Sequence, residues 1–117
     1  MNETIKKRDE VFGIYLYVLE LQNGKYYVGI TNKPENRFRN HREGKSLSFV
    51  KKNLPIINVQ KTLLKTTNRD RALKLETEKT VELIQKYGIA NVCGGAITGD
   101  FHDRISKFKM YFNELMN

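Results

Sequence analysis

The sequence predicts an α/β protein of the α+β kind: a small antiparallel or mixed sheet of three strands flanked by helices. Three observations predict it. A strand, turn, strand pattern runs from Ile14 to Thr31. Two helical segments with capping signals follow, at about 32–43 and 69–87, with one more β-rich run between them. The chain has 117 residues, enough for one modest core, so residues 1–117 read as a single domain.

The elements can be justified in order. Residues 1–11 are polar and read as loose. In the hairpin, Asn23-Gly24 marks the turn. A two-residue turn would put Tyr17 and Tyr27 on opposite faces. A three-residue loop, Gln22-Asn23-Gly24 with Gly24 left-handed, pairs Tyr17 with Gly29 and Leu19 with Tyr27. That register gathers Ile14, Leu16, Val18, Val28 and Ile30 on one face. Tyr15, Tyr17, Tyr27, Gly29 and Thr31 lie on the other, so it is preferred. Gly29 then leaves an open floor between phenols, where a side chain would block a ligand. Asn32 is the expected N-cap of the first helix, with Glu35 as its capping-box partner and Pro34 in the first turn. The helix should run to about Glu43 and stop at Gly44. Arg37 and His41, four residues apart, share one face. A basic stretch with Lys45, Lys51 and Lys52 follows and is the expected nucleic-acid contact. Pro55 opens a strand, Ile56 to Leu64.

Thr67-Asn68-Arg69-Asp70 reads as a capping box before a long helix, Arg69 to Tyr87, ended by Gly88. Its apolar stripe is interrupted by Glu76. A buried lone carboxylate is costly unless it is paired or binds a cation. Two readings stand side by side: an ion pair with an arginine such as Arg37, or a metal ligand. Asn91 sits in the glycine-rich turn that follows. A last helix, about Asp100 to Leu115, places Phe101, Ile105, Phe108, Phe112 and Leu115 at helical spacing, most simply as core.

There are 21 Lys+Arg against 13 Asp+Glu, a formal net charge of +8. Such a surplus favours polyanions, nucleic acid before an anionic membrane surface. No apolar run approaches the ~20 residues of a membrane span, and Met1 to Glu10 lacks a signal-peptide core. Cys93 is the single cysteine, which excludes a disulfide framework or a Cys-based zinc site. These features predict an intracellular protein.

Phenols, a guanidinium, an imidazole and a carboxylate on one platform suit phosphodiester chemistry. Each has a bland alternative when taken alone: half-buried strand tyrosines, a solvent-facing histidine, a surface ion pair. Their order and spacing change the balance. The hairpin, Tyr27-Val28-Gly29, Arg37 and Glu76 resemble the GIY-YIG nuclease family over roughly residues 12–95, in its small standalone type with Arg-x-x-x-His. The string Gly13-Ile14-Tyr15 spells the first motif literally. However, the family usually separates its two motif tyrosines by ten or eleven residues. Tyr17 and Tyr27 fit that spacing and Tyr15 does not. The first motif is therefore identified as Tyr15-Leu16-Tyr17, with Tyr17 as the catalytic-type phenol and Tyr15 as runner-up.

The resemblance implies a metal-dependent DNA endonuclease with one Mg²⁺ or Mn²⁺ held by Glu76. It implies that Arg37 binds the phosphate, that Tyr27 or His41 holds the attacking water, and that Tyr17 positions water or substrate. Asn91 would orient this shell. Many members carry a lysine directly after the second motif, where this chain has Ile30-Thr31, so proton transfer is expected to fall to His41 and water. The alternative is a catalytically silent nucleic-acid-binding module on the same fold. A basic interaction protein is a weaker third reading. With no separate recognition domain in view, specificity is expected from DNA shape, a homodimer or a protein partner.

Overall fold

The structure, a computed structural model, describes residues 13–116. The expectation of a loose segment at 1–11 lies outside them. Strands β1 (Tyr15–Leu21) and β2 (Lys25–Thr31) form the hairpin, joined by a 3₁₀ turn at Gln22–Gly24. Helices α1 (Pro34–Arg42) and α2 (Ser48–Lys52) follow, then strand β3 (Ile56–Leu63) and the long helix α3 (Arg69–Tyr87). A second 3₁₀ turn, Ile89–Asn91, leads into β4 (Val92–Gly94), and α4 (Phe101–Met116) closes the chain. No described helix is long and apolar enough to cross a membrane.

The hairpin has the predicted register, with Tyr17 opposite Gly29 and Leu19 opposite Tyr27. Both Asn23 (φ 65°) and Gly24 (φ 69°) are left-handed, which accounts for the preference for Asn-Gly in this turn. The sheet corrects the expected strand count. It has four strands in the order β3-β1-β2-β4, antiparallel except for the β2–β4 pair. The fourth strand is three residues long and exists because it pairs with Tyr26–Val28 of β2. The first helix also starts differently. It begins at Pro34 with Lys33 in the cap position, and neither Asn32 nor Glu35 caps it. Instead the Thr31 hydroxyl accepts from the Lys33 N–H at 3.0 Å. At α3, Asn68 is the cap and accepts from the Arg71 N–H at 3.1 Å.

Two apolar cores lie on opposite faces of the sheet. The front core holds Tyr17, Leu19, Leu21, Tyr27 and Cys93 under Phe38 of α1 and Val50 of α2. The back core holds Val28 and Val92 under Val81, Leu83 and Ile84 of α3, with Leu16, Val18, Phe108 and Phe112 at its margin. The tyrosine face is therefore a covered core and not an open platform. Phe101 departs from the expected core stripe of α4, at 48% exposed. The loop after β4 is clamped to α3, where Thr77 Oγ1 accepts from the Ala96 N–H at 3.2 Å. Gly95, in the left-handed region at φ 53°, lies against the Thr77 backbone too closely for any Cβ.

Candidate functional site

Alternation along β1 and β2 sends Tyr17 and Tyr27 to the front face, with ring centroids 6.2 Å apart. Helix α1 crosses above them and presents Arg37 and His41 from successive turns. The Arg37 Nε donates to the Tyr17 hydroxyl at 3.3 Å. Tyr17 Oη lies 2.7 Å from His41 Nε2, and His41 Nδ1 lies 2.6 Å from Ser46 Oγ. With Arg37 donating to the phenolic oxygen, the phenolic proton goes to Nε2 and the ring's own proton sits on Nδ1, donated to Ser46. The other tautomer would leave the Tyr17 proton only the neighbouring Tyr27 hydroxyl as acceptor. His41 is fully buried and Tyr17 is 1% exposed. Burial first, then the neighbouring Arg37 charge, hold the imidazole at about 4, so it is neutral at pH 7. Both phenols are raised above the ordinary tyrosine value, chiefly by burial.

Gly29 is required here for closeness. A Cβ on it would fall inside the Tyr17 phenol. The space its missing side chain leaves is filled by that hydroxyl, which corrects the expectation of an open floor for a ligand.

Glu76 projects from α3, a helix of the back layer, and is 7% exposed. It reaches the site because β4 stops opposite Val28 and leaves the end of β2 uncovered. There the Ile30 backbone N–H faces the carboxylate. Burial pushes Glu76 up to about 7, opposed by that N–H and by the charges of Arg69 and Arg37. Its own charge in turn raises both Tyr17 and Tyr27, so it lies within electrostatic reach of the phenols. No ion pair to Glu76 exists among the described residues, so the expected alternative of an arginine salt bridge is not what holds it. The described residues also contain no group of three His, Cys, Asp or Glu. A single unpaired carboxylate fits a hard cation that takes its other ligands from water and phosphate.

The GIY-YIG catalytic domain model matches residues 13–87. The chain belongs to the GIY-YIG family. It is 43% identical over 42 residues to a UPF0213 protein of Xanthomonas axonopodis pv. citri, covering 36% of this chain and 41% of that one. A UPF0213 protein of Bacillus licheniformis is 38% identical over 42 residues, again 36% of this chain and 43% of the relative. A UPF0213 protein of Enterococcus faecalis is 32% identical over 74 residues, 58% of this chain and 84% of the relative. The chain thus spans about two fifths of the length of the first two relatives. No solved structure matches it.

In this GIY-YIG chain the remaining predicted residues fall elsewhere. Tyr15 lines a separate cavity at the start of α1, with Lys61 Nζ 5.5 Å from its ring centroid, and does not join Tyr17 and His41. Asn91 is a correction. Its amide donates to the Tyr87 carbonyl at 2.7 Å and accepts from Lys25 Nζ at 2.7 Å, so it ties the end of α3 to the start of β2. Lys45 pairs with Glu43 at 3.4 Å, and the Lys51 stem lies over Gly44. Lys52 lines a groove that also contains Tyr27. Ser46 escaped the sequence reading, because a serine five residues beyond a histidine in a loop carries no pattern.

Proposed function

We propose that this GIY-YIG chain is a divalent-metal-dependent DNA endonuclease. One observation supports the reading: an unpaired buried carboxylate lies within electrostatic reach of the two phenols and the guanidinium, though it comes from the opposite layer. Arg37, half-buried and planar, would hold two non-bridging oxygens of the scissile phosphate. Glu76 would hold one Mg²⁺ or Mn²⁺, which would neutralise charge developing on the phosphate. His41 is fully buried behind Tyr17, so it would act through that phenol, itself 1% exposed, which a water would reach beside Arg37 only once substrate is bound. Tyr17 would take a proton from the attacking water and hand its own to Nε2. An incoming phosphate would offset the Arg37 charge that helps keep the imidazole low, and so ease that transfer. Tyr27 stays protonated at neutral pH and would orient water or leaving oxygen at the mouth of the groove. Lys51 and Lys52, with the net charge of +8, support attraction to the DNA backbone.

The test is nicking of plasmid and of branched or flapped oligonucleotides with Mg²⁺ or Mn²⁺, compared with Glu76→Ala and Arg37→Ala. Wild type is expected to nick at least about a hundred-fold faster than either variant, the usual scale for losing one charge-stabilising group. Nicking by Glu76→Ala at the wild-type rate would sink the proposal and leave a silent binding module.

A further inference from the structure

Tyr27 sits at one end of a groove of about 610 Å³ that runs between α2 and the first turn of α4. Phe49, Lys52, Phe101 and Arg104 line it. The Arg104 guanidinium lies 5.2 Å from the Phe49 ring centroid and 5.8 Å from that of Phe101. Two backbone carbonyls fix its plane: Nη1 donates to Gly99 at 3.0 Å and Nη2 to Ile89 at 3.5 Å. Arg104 is only 7% exposed, and its Nε is buried with no acceptor among the described residues. A buried donor left without a partner is uncommon and asks for an explanation. Phe101 is the opposite case, an aromatic ring 48% exposed next to a held cation. Asp100 also lines the groove, but its carboxylate accepts from the Asp103 N–H at 2.8 Å as a helix cap. Phe101 and Arg104 both lie beyond the matched residues 13–87.

We propose that this groove takes one unpaired nucleotide of the DNA substrate. The base stacks on Phe101, the phosphate faces Lys52 and Arg104, and the adjoining phosphodiester is delivered to Tyr27. This rests on the nuclease reading and narrows its substrate to DNA with a single-stranded stretch beside the cut. The volume suits a ligand of nucleotide size, not a duplex. Aromatic stacking beside basic side chains binds single strands with little sequence preference, because every base offers a π-face.

Binding is measured without divalent metal, by fluorescence anisotropy, on full-length Glu76→Ala. The probes are a labelled blunt duplex and the same duplex with a single-stranded overhang. The overhang is expected to tighten binding by roughly ten- to a hundred-fold. Adding Phe101→Ala should abolish that preference and leave the salt dependence unchanged, whereas Phe101→Trp should keep it. Lys52→Ala should reduce the slope of log affinity against log salt by about 1. Phe101 is half exposed, so its variants should fold, as checked by circular dichroism. Equal affinity for the two probes, or a preference that survives Phe101→Ala, overturns the proposal. Equal affinity for the two probes, with metal-dependent nicking by wild type intact, rejects this site alone. Intact preference without nicking rejects the nuclease reading alone.

Discussion

The Glu76 carboxyl ionises near pH 7 in the folded chain and near 4.5 ordinarily. The folded state therefore holds that proton more tightly than the unfolded chain does. The resulting stability is fully present below 4.5 and is lost as pH rises through 7. Its size is on the order of 3 kcal/mol. His41 works in the opposite direction, since its pKa is lowered and its contribution is lost as pH falls towards 4. Comparing wild type with Glu76→Gln cancels His41. Wild type is expected to lose thermal stability relative to the variant between pH 5 and pH 8, and Mg²⁺ at pH 8 should raise the melting temperature of wild type only. Parallel melting curves across that range would refute the assignment. Gly29→Ala tests the closeness of the Tyr17 phenol. The clash with a buried ring should cost about 1–3 kcal/mol in urea unfolding, and a variant as stable as wild type would contradict the packing described. Glu76 was legible in the sequence because a carboxylate broke an apolar helical stripe. The partner of His41 was not, because Ser46 meets it only through the fold of a loop.

Among the elements, α3 was readable in its approximate span, since a capping-box pattern and a stop at Gly88 bracket a strong periodicity, although the cap is Asn68 and not the Thr67 that the box implies. The hairpin register was readable from the face on which its tyrosines must fall. Strand β4 was not. Val92-Cys93-Gly94 has no alternation to read, and only a parallel neighbour far earlier in the chain makes it a strand. The same long-range origin explains Asn91, whose bonds to Lys25 and Tyr87 belong to this junction and not to the phenol cluster. Asn91→Ala should lower stability by about 1 kcal/mol. The nicking rate per folded molecule is expected to stay at the wild-type value, measured after correcting for the folded fraction. A selective fall in rate would return Asn91 to the reacting groups.

At the scale of the molecule, the fold is a sheet with a core on each side, and the candidate site draws on both. The sequence pointed to a basic chain and to the polar residues worth watching. It did not show that the front face is roofed, because α2 is only five residues long and announces itself by no cap or period. The hairpin loop then carries a consequence out of proportion to its size. Side chains alternate along β1 and β2, so shortening Gln22–Gly24 by one position would send Tyr17 and Tyr27 to opposite sides of the sheet. Such a chain could still bury many of its aliphatic residues and look well folded by spectroscopy, yet Arg37 would meet only one of the two phenols. Chain length at a solvent-exposed bend thus decides whether the chemistry is assembled at all.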